Sequence, residues 1–248
     1  ESNNYFEPRG SGETFTIIIN QNTLIWELKQ VIATTRNLHD YILYLFIANT
    51  ENELQNKKSL SSFNIVDKLN LFILFKKYKL EWITLGYNCS TNINKSIVTA
   101  YKTTSDHLIT TQVELFYGCH YCEMVITNLG TMCDILFGVV KPGLSPINNW
   151  NNIIQCGYFI SMKTGGLNSK NMRHSNSCGK LCNGDRIGIL LNYNTQTLTF
   201  YRNYTKIGPG FTNVHTKPLM FGTVMYHGVS QYFGNASISI NNNPNLPF

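Results

Sequence analysis

Residues 184–203 contain two runs of alternating apolar residues separated by three polar ones: Gly184-Asp185-Arg186-Ile187-Gly188-Ile189-Leu190-Leu191-Asn192-Tyr193 and Thr197-Leu198-Thr199-Phe200-Tyr201-Arg202-Asn203. A period of two is the pattern of a β-strand with one buried face. In the first run Ile187, Ile189 and Leu191 point to one side, and Leu198 and Phe200 of the second run can meet them. The two runs therefore predict an antiparallel β-hairpin with one buried and one wetter face.

These runs resemble the central hairpin of SPRY domains, which combines a G-D-x-I-G-x-L-L strand with a T-L-x-F-Y-x-N strand. Further SPRY-like segments follow the family order: Gly118-Cys119-His120-Tyr121-Cys122-Glu123-Met124-Val125-Ile126, Phe137-Gly138-Val139, Gly157-Tyr158-Phe159, Ile207-Gly208 and Tyr232-Phe233-Gly234. The resemblance extends over residues 82 to 240. It implies a mainly β fold, in which residues 82–248 form an antiparallel β-sandwich of the concanavalin-like jelly-roll type.

Two positions depart from the SPRY pattern. Cys122 stands where the family usually has a core tryptophan, while Tyr121 and Glu123 stay in register. Asn203-Tyr204 replaces the usual Asn-Gly, and a tyrosine resists the positive φ that a tight primed turn needs. We therefore expect a longer or differently shaped turn at residues 203–204.

The first eighty residues predict a smaller α+β domain. A strand-like run over residues 14–19 is followed by a pattern with helical spacing, whose apolar stripe is Leu24, Leu28, Val31 and Ile32. We expect this stripe to be buried and the polar side chains beside it, including Lys29, to stay in water. Residues 41–48 and 69–75 are continuous aromatic and β-branched runs, which predict two further strands.

This order of elements resembles ubiquitin and the ubiquitin-like β-grasp domains, and the segment Leu60-Ser61-Ser62-Phe63-Asn64-Ile65 is similar to their L-S-D-Y-N-I segment. The resemblance implies a β-grasp domain at residues 1–77 with an incomplete or divergent first strand, a linker at 78–81 and the sandwich at 82–248. Relatives of ubiquitin bind partners through an apolar patch on the sheet, and by similarity Phe46 and Phe72 fall on it. The alternative is that these two rings pack inward or against the second domain.

Composition and charge narrow the classes of partner. The net charge is +6, but the basic residues are scattered singly, and the one dense group at residues 76–79 falls in the connector, which argues against nucleic acid. No apolar run approaches the roughly 20 residues that span a bilayer, and the first residues do not resemble a signal peptide. We therefore expect no membrane association. Seven cysteines, an odd number, favour reduced thiols and a cytoplasmic protein.

No cluster of residues predicts catalysis, a cofactor or a metal. The sequence has no G-x-S-x-G elbow, H-E-x-x-H pair or glycine-rich phosphate loop. Cys119 and Cys122 lie three apart on a predicted strand, so they face opposite sides and are too far apart to share a zinc ion. Cys178 and Cys182 fall in a predicted loop, and nothing in the sequence ties the further ligands of a tetrahedral site to them. We therefore predict a non-enzymatic protein without cofactor or metal, and we expect no small-molecule ligand.

A β-sandwich gathers its connecting loops at two ends, where they vary while the sheets hold them. SPRY domains characteristically use such a loop surface to bind segments of other proteins. By that resemblance the predicted contact residues, five aromatic side chains and one histidine, are Tyr117, Trp150, Tyr158, Tyr204, Tyr226 and His227. Aromatic side chains offer much contact area at little cost in conformational entropy. The alternative for each of them, Tyr158 above all, is a place in the core.

The sequence thus predicts a protein-interaction module, in which the SPRY loops recognise a protein target and the ubiquitin-like domain docks to a second partner. An adaptor in the ubiquitin pathway is the most specific form of this hypothesis. The alternative is a secreted or surface lectin, because sandwich folds also bind carbohydrate and the chain has sequons at Asn88, Asn94, Asn203 and Asn235. The lectin hypothesis predicts bound glycan, oxidised cysteines and occupied sequons.

Overall fold

The computed structural model of the chain describes residues 22–36, 41–47, 53–63, 71–77, 79–84, 89–101, 107–130, 134–145, 150–170, 172–174, 182–226 and 235–244. The chain divides into two compact units, which are described separately. The first unit has the bounds Glu1–Tyr78 and Phe116–Cys119. The second unit has the bounds Lys79–Leu115 and His120–Phe248.

The first unit contains one helix, two strands and a short 3-10 helix: α1 (Ile25–Arg36), β1 (Tyr41–Ile47), the 3-10 helix Leu60–Phe63 and β2 (Leu71–Lys77). The two strands pair antiparallel, with Tyr41 opposite Lys77 and Ile47 opposite Leu71. The helix and these two strands agree in type with the sequence prediction. The strand predicted at residues 14–19 lies outside the described residues.

The buried face of α1 differs from the predicted stripe. Ile25, Leu28 and Ile32 are buried, but Val31 is 41% exposed and Lys29 is only 2% exposed. The prediction was therefore wrong for Val31 and for Lys29. The reason is a partner distant in sequence, because the Lys29 ammonium donates to Glu53 Oε1 at 3.2 Å. Burial lowers the pKa of Lys29, and the Glu53 carboxylate opposes that effect.

Over the described part of the chain, the second unit contains fourteen strands and one short helix. They are β3 (Trp82–Thr84), β4 (Cys89–Thr91), β5 (Ile97–Ala100), β6 (His107–Thr111), β7 (Cys119–Asn128), β8 (Asp134–Val140), α2 (Trp150–Gln155), β9 (Gly157–Ser161), β10 (Leu167–Ser169), β11 (Met172–His174), β12 (Arg186–Asn192), β13 (Thr197–Arg202), β14 (Thr205–Phe211), β15 (Met220–Tyr226) and β16 (Ala236–Asn241). The first residue of β7, Cys119, falls within the bounds of the first unit.

These strands form two antiparallel sheets of seven strands each, which stack as a β-sandwich. Sheet I has the order β11-β10-β9-β8-β15-β6-β3, and sheet II has the order β14-β13-β12-β7-β16-β5-β4. Six of the twelve neighbouring pairs join strands that are consecutive in the order of described strands, and the other six pairs are non-local. The mainly β sandwich predicted for this part of the chain is confirmed.

The hairpin predicted from the alternating runs forms the part of sheet II that contains β12 and β13. Ile189 lies opposite Phe200, and Leu191 lies opposite Leu198. These four side chains and Ile187 are fully buried. The intervening residues point to the other face of sheet II, which is partly solvated.

Aromatic side chains from both sheets fill the core of the sandwich. Phe137, Phe159 and Phe221 of sheet I are fully buried, and so is Phe200 of sheet II. Cys122 is 1% exposed, so a buried thiol takes the inward position at which a tryptophan was expected from the family pattern. Burial raises the pKa of the Cys122 thiol, which keeps it protonated near neutral pH.

Close backbone approach between β8 and β9 predicts a strong effect of Gly138→Ala. The added carbon would overlap the Tyr158 carbonyl oxygen and lie 2.9 Å from Phe159 Cα. Since backbone rather than a flexible side chain must move, we expect a loss of about 3 kcal/mol in the free energy of unfolding, measured by urea denaturation.

A matched control for this substitution is Gly222→Ala on the neighbouring strand β15. The carbon added at Gly222 would meet no atom nearer than 3.0 Å, and it should cost clearly less stability. Equal stability of the wild type and Gly138→Ala would contradict the close packing of β8 on β9.

Candidate functional site

A two-residue turn joins β13 to β14 at the edge of sheet II. Asn203 and Tyr204 have positive φ of 49° and 69°, and the flanking residues Arg202 and Thr205 are register partners. Positive φ at both central residues is the pattern of the tight type I′ hairpin turn. The expectation of a longer or differently shaped turn was therefore wrong.

Asp185, at the entrance to β12, explains why this turn stays tight. Its Oδ2 accepts hydrogen bonds from the Cys182 amide at 2.7 Å and from Arg202 Nη2 at 2.8 Å. Its Oδ1 accepts a hydrogen bond from Asn203 Nδ2 at 2.9 Å. Asp185 is only 6% exposed, so one buried carboxylate ties together the loop before β12, the end of β13 and the turn.

Asn203 is also bonded to the backbone of β12. The Arg186 amide donates to Asn203 Oδ1 at 2.9 Å, and the Asn203 amide donates to the Arg186 carbonyl at 2.8 Å. Asparagine is one of the few residues that adopts the left-handed region readily. Its side chain is held at both ends, by Asp185 and by Arg186, so the next residue is forced into the same region although it is a tyrosine.

The electrostatics of Asp185 follow from these contacts. Burial by itself would raise the pKa of the carboxyl group, but the hydrogen bonds from Cys182, Asn203 and Arg202 and the Arg202 charge outweigh it. The pKa of Asp185 therefore lies below its usual value, because the folded state prefers the ionised form.

The turn presents Tyr204 beside two other tyrosines on the outer face of sheet II. Tyr204 is 40% exposed, while Tyr121 and Tyr201 are half-buried. The Tyr121 and Tyr201 rings meet edge to face, with centroids 6.4 Å apart and planes at 71°. Gly188 lies beneath them, since a carbon added there would overlap the Tyr121 hydroxyl. We call Tyr121, Tyr201, Tyr204 and the adjoining Arg186 the tyrosine face.

An ion pair with a buried carboxylate supports the tyrosine face. Arg186 Nη1 donates to Glu123 Oε1 at 2.7 Å, and the Asn241 side-chain amide donates to the same oxygen at 2.8 Å. The Glu123 side chain is 1% exposed, whereas that of Arg186 is 42% exposed and also donates a hydrogen bond to Tyr204. Burial and the Glu123 charge both raise the pKa of Tyr121, so its hydroxyl stays protonated at neutral pH. The face is therefore a set of neutral rings around one cation.

The comparisons with known proteins agree with this architecture. Residues 120–235 match the family model described as the SPRY domain. The match supports a SPRY domain within the second unit. Such domains are protein-protein interaction modules. A comparison with curated proteins finds no significant match.

Three solved structures are similar to the chain. The SPRY domain of human HERC1 is 16% identical, with a TM-score of 0.52 over 63% of this chain and 93% of that one. The TRIM65 PSpry domain is 14% identical, with a TM-score of 0.49 over 67% and 93% of the two chains. A human SPRY domain is 16% identical, with a TM-score of 0.47 over 64% and 98%. At such low identity the HERC1 likeness supports the fold alone.

The structure places the predicted contact residues in different environments. Tyr204 is exposed on the tyrosine face, whereas Tyr117 is 6% exposed in the core of the first unit, together with Ile25 of α1. Tyr117 is therefore not available as a contact, which corrects the expectation for it. Tyr158 is half-buried, and its ring packs edge to face on Phe211 with centroids 5.3 Å apart.

For the remaining predicted contacts the structure gives backbone positions only. Trp150 begins α2 and Tyr226 ends β15, and their side chains lie outside the description, as does all of His227. Phe46 and Phe72 are direct register partners in the antiparallel pair of the first unit. Their backbone positions share one face of that pair, and their side chains likewise lie outside the description.

Sequence analysis missed three members of the tyrosine face: Tyr121, Tyr201 and Arg186. These residues occupy the outward positions of their predicted strands, and the same alternation that placed the apolar residues inward also places them on one outer face. The contact residues were predicted on loops, and of the four members of this face only Tyr204 lies in a turn. Among the described residues, no helix combines the length and the apolar character needed to cross a membrane, and no group of three or more potential metal ligands occurs.

The left-handed conformation of Tyr204 predicts that Tyr204→Gly stabilises the SPRY domain. The left-handed conformation destabilises the folded state by roughly 1 kcal/mol for a residue with a side chain, and by little for glycine. The free energy of unfolding should therefore rise by about 1 kcal/mol. Urea denaturation measures this change. Tyr201→Gly, at a strand position without positive φ, should destabilise instead, and a loss of stability in Tyr204→Gly would contradict the strain.

The lowered pKa of Asp185 predicts a pH-dependent effect of Asp185→Asn. The stability supplied by a carboxylate with a depressed pKa is present above about pH 4, the value for an unfolded chain, and is lost as the pH falls through the folded pKa. We expect Asp185→Asn to cost about 2 kcal/mol at pH 7 and progressively less below pH 4. Urea denaturation across this range measures the difference.

Asp134 offers the contrasting control. Burial raises the pKa of this carboxyl group against the hydrogen bonds that it accepts from Ser161, Lys163 and Ile135. Its contribution to stability should therefore fall as the pH rises, opposite in sign to that of Asp185.

A pH-independent effect of Asp185→Asn would show that the carboxylate charge does not stabilise the turn.

Proposed function

We propose that the chain is a non-enzymatic protein-interaction module and that its SPRY domain binds a protein partner through the tyrosine face. The observation that carries this proposal is the state of Tyr204, which is an exposed aromatic side chain in a strained backbone conformation. Strained residues persist where the surrounding structure over-determines them, and they concentrate at functional sites. The Asp185 and Asn203 hydrogen bonds supply that over-determination.

A purely structural turn would use a different residue at this position. Glycine would fit the left-handed region without cost, and asparagine would fit it at little cost. Burial compensates the tyrosine only in part, because 40% of its surface remains exposed. Binding of a partner gives a reason for a bulky ring here, since the contact area is useful only when something covers it.

The composition of the tyrosine face fits a binding hot spot. Tyrosine and arginine are enriched among residues that dominate interface energetics. Tyr121 is fixed by packing over Gly188 and against Tyr201, and Arg186 is fixed by Glu123. A face that is already ordered loses little side-chain entropy on binding, which increases affinity.

The loop end of the sandwich remains a second candidate surface. Tyr158 has a partly accessible ring whose hydroxyl lies 3.4 Å from Thr216 Oγ1. Trp150, Tyr226 and His227 stay predictions for that surface. The tyrosine face has more support, because the Tyr121 and Tyr201 rings meet edge to face and Arg186 bonds Tyr204.

We propose further that the first unit is a ubiquitin-like docking domain and that the protein acts as an adaptor in the cytoplasm. The element order of α1, β1, the 3-10 helix Leu60–Phe63 and β2 supports this proposal. Phe46 and Phe72 are the proposed contact residues of that unit. The ubiquitin pathway follows from the resemblance of the first unit to ubiquitin, and it is the most specific form of the adaptor hypothesis.

One contact favours protein binding over the lectin alternative. Asn203 belongs to a sequon, but its Nδ2 donates to the buried Asp185 carboxylate at 2.9 Å. A glycan would replace one of the two hydrogens of this nitrogen, beside the buried carboxylate. Occupation of this sequon would therefore place a bulky sugar next to the contacts that hold the turn.

Panning of a random peptide library on the full chain tests the tyrosine face. Peptides enriched by the wild type are then measured by fluorescence anisotropy against Tyr204→Ala and Tyr101→Ala. The two tyrosines are matched, being 40% and 42% exposed, and the hydroxyl of Tyr101 bonds Ser90 Oγ at 2.9 Å. Loss of a hot-spot ring costs about 2 kcal/mol, so we expect Kd to rise roughly thirtyfold for Tyr204→Ala and to stay unchanged for Tyr101→Ala.

Two outcomes would contradict this proposal. Equal affinity of the two variants would remove Tyr204 from the binding site. Loss of affinity on substitution of Tyr158 or Tyr226, with Tyr204→Ala unaffected, would move the site to the loop end of the sandwich.

A further inference from the structure

The carboxylates around the tyrosine face are buried, whereas the guanidinium of Arg186 is partly exposed. Glu123 is 1% exposed and Asp185 is 6% exposed, and each is paired with an arginine. The Arg186 side chain, by contrast, is 42% exposed. A partner that covers this face therefore meets the cationic end of the Glu123–Arg186 pair and does not reach the carboxylate.

Lys206 adds a second cation to the same face. It is exposed, and it is the register partner of Tyr201 across the β13–β14 pair, so both side chains leave the sheet on the same side. Its own strand, β14, contains no carboxylate. Strands β12, β13 and β14 contain three basic residues and no acidic residue.

The spacing of the two cations suits an extended chain. Lys206 lies two strands away from Gly188, or about 10 Å, and Arg186 lies two residues along β12 from Gly188, or about 7 Å. The two positions are thus roughly 12 Å apart, with Tyr201 between them. Residues four apart in an extended segment are separated by about 13 Å and point to the same side.

We propose that the partner presents an extended acidic segment, with carboxylates about four residues apart that pair with Arg186 and Lys206 and with apolar groups that cover the three tyrosine rings. This proposal rests on the proposed function and names the class of partner. A guanidinium has five N–H donors, so Arg186 can bind a carboxylate of the partner while it keeps Glu123 and Tyr204. Overall charge agrees, because the chain carries +6.

The segment lies across the face of the sheet in this proposal and does not extend sheet II. Strand β14 forms the edge, but Pro209 has no amide hydrogen to donate. Gly208 and Gly210 on either side have positive φ of 62° and 72°, which interrupts a regular hydrogen-bonding edge. The side chains of the face therefore supply the recognition.

Single-stranded nucleic acid is the competing ligand for a face with aromatic rings and cations. A nucleic-acid site needs a row of cations that follows successive phosphates. Among the described residues, the tyrosine face and its neighbour Lys206 offer two cations, Arg186 and Lys206. An acidic peptide can pair one carboxylate with each of these two cations. Oligothymidylate therefore serves as a competitor in the binding experiment.

The experiment compares the charge of the peptides that the full chain selects from the random library. The wild type should enrich peptides with two or more glutamates or aspartates relative to the input library. Replacement of the acidic residues by their amides should weaken binding at least about tenfold, and the effect should shrink with added salt. Lys206→Glu should lose about tenfold in affinity for the same peptides.

Lys170→Glu is the matched control. Lys170 is exposed just after β10 on sheet I, and its replacement by glutamate changes the net charge by the same amount as Lys206→Glu. Unchanged affinity of Lys170→Glu places the effect at the tyrosine face. Peptides without acidic bias, equal loss in both lysine variants, or displacement by oligothymidylate at lower concentration than by the acidic peptide would overturn the proposal. If such peptides still depend on Tyr204, the protein-binding function stands and only the acidic class falls.

Discussion

The carboxylate of Asp185 is the constraint on which the described surface depends. It is buried, and it accepts hydrogen bonds from the loop before β12, from the end of β13 and from the turn that follows. An unpaired buried carboxylate is costly, so these three donors must stay in place together. The turn at Asn203 and Tyr204 is the geometry that satisfies them, and Tyr204 is exposed as a result.

The two faces of sheet II have different roles. Inward residues of the β12–β13 hairpin are fully buried and supply the stability of the sandwich. Outward residues carry the tyrosine rings, and Gly188 provides the gap over which Tyr121 lies. Burial of the inner face stabilises the hairpin, so the outer face can keep a strained turn and the ion pair between Arg186 and the buried Glu123.

The sequence was sufficient for the features that depend on local pattern. The alternation of Ile187, Ile189 and Leu191 predicted the hairpin and its buried face, and the family segments predicted the sandwich. It was insufficient where a partner distant in sequence decides the result. The tight turn depends on a bond between Asp185 and Asn203, and the burial of Lys29 depends on Glu53 twenty-four residues away. The place of Tyr117 in the first unit's core likewise could not be inferred from local pattern.

Amide hydrogen exchange in the wild type and in Asp185→Asn measures whether the carboxylate holds the turn. If the carboxylate holds the turn, the amides of Arg186 and Asn203 should lose protection in the variant, while those of Ile189 and Leu191 within the hairpin stay protected. Unchanged protection at Arg186 and Asn203 would contradict the account, because the turn would then persist without the carboxylate.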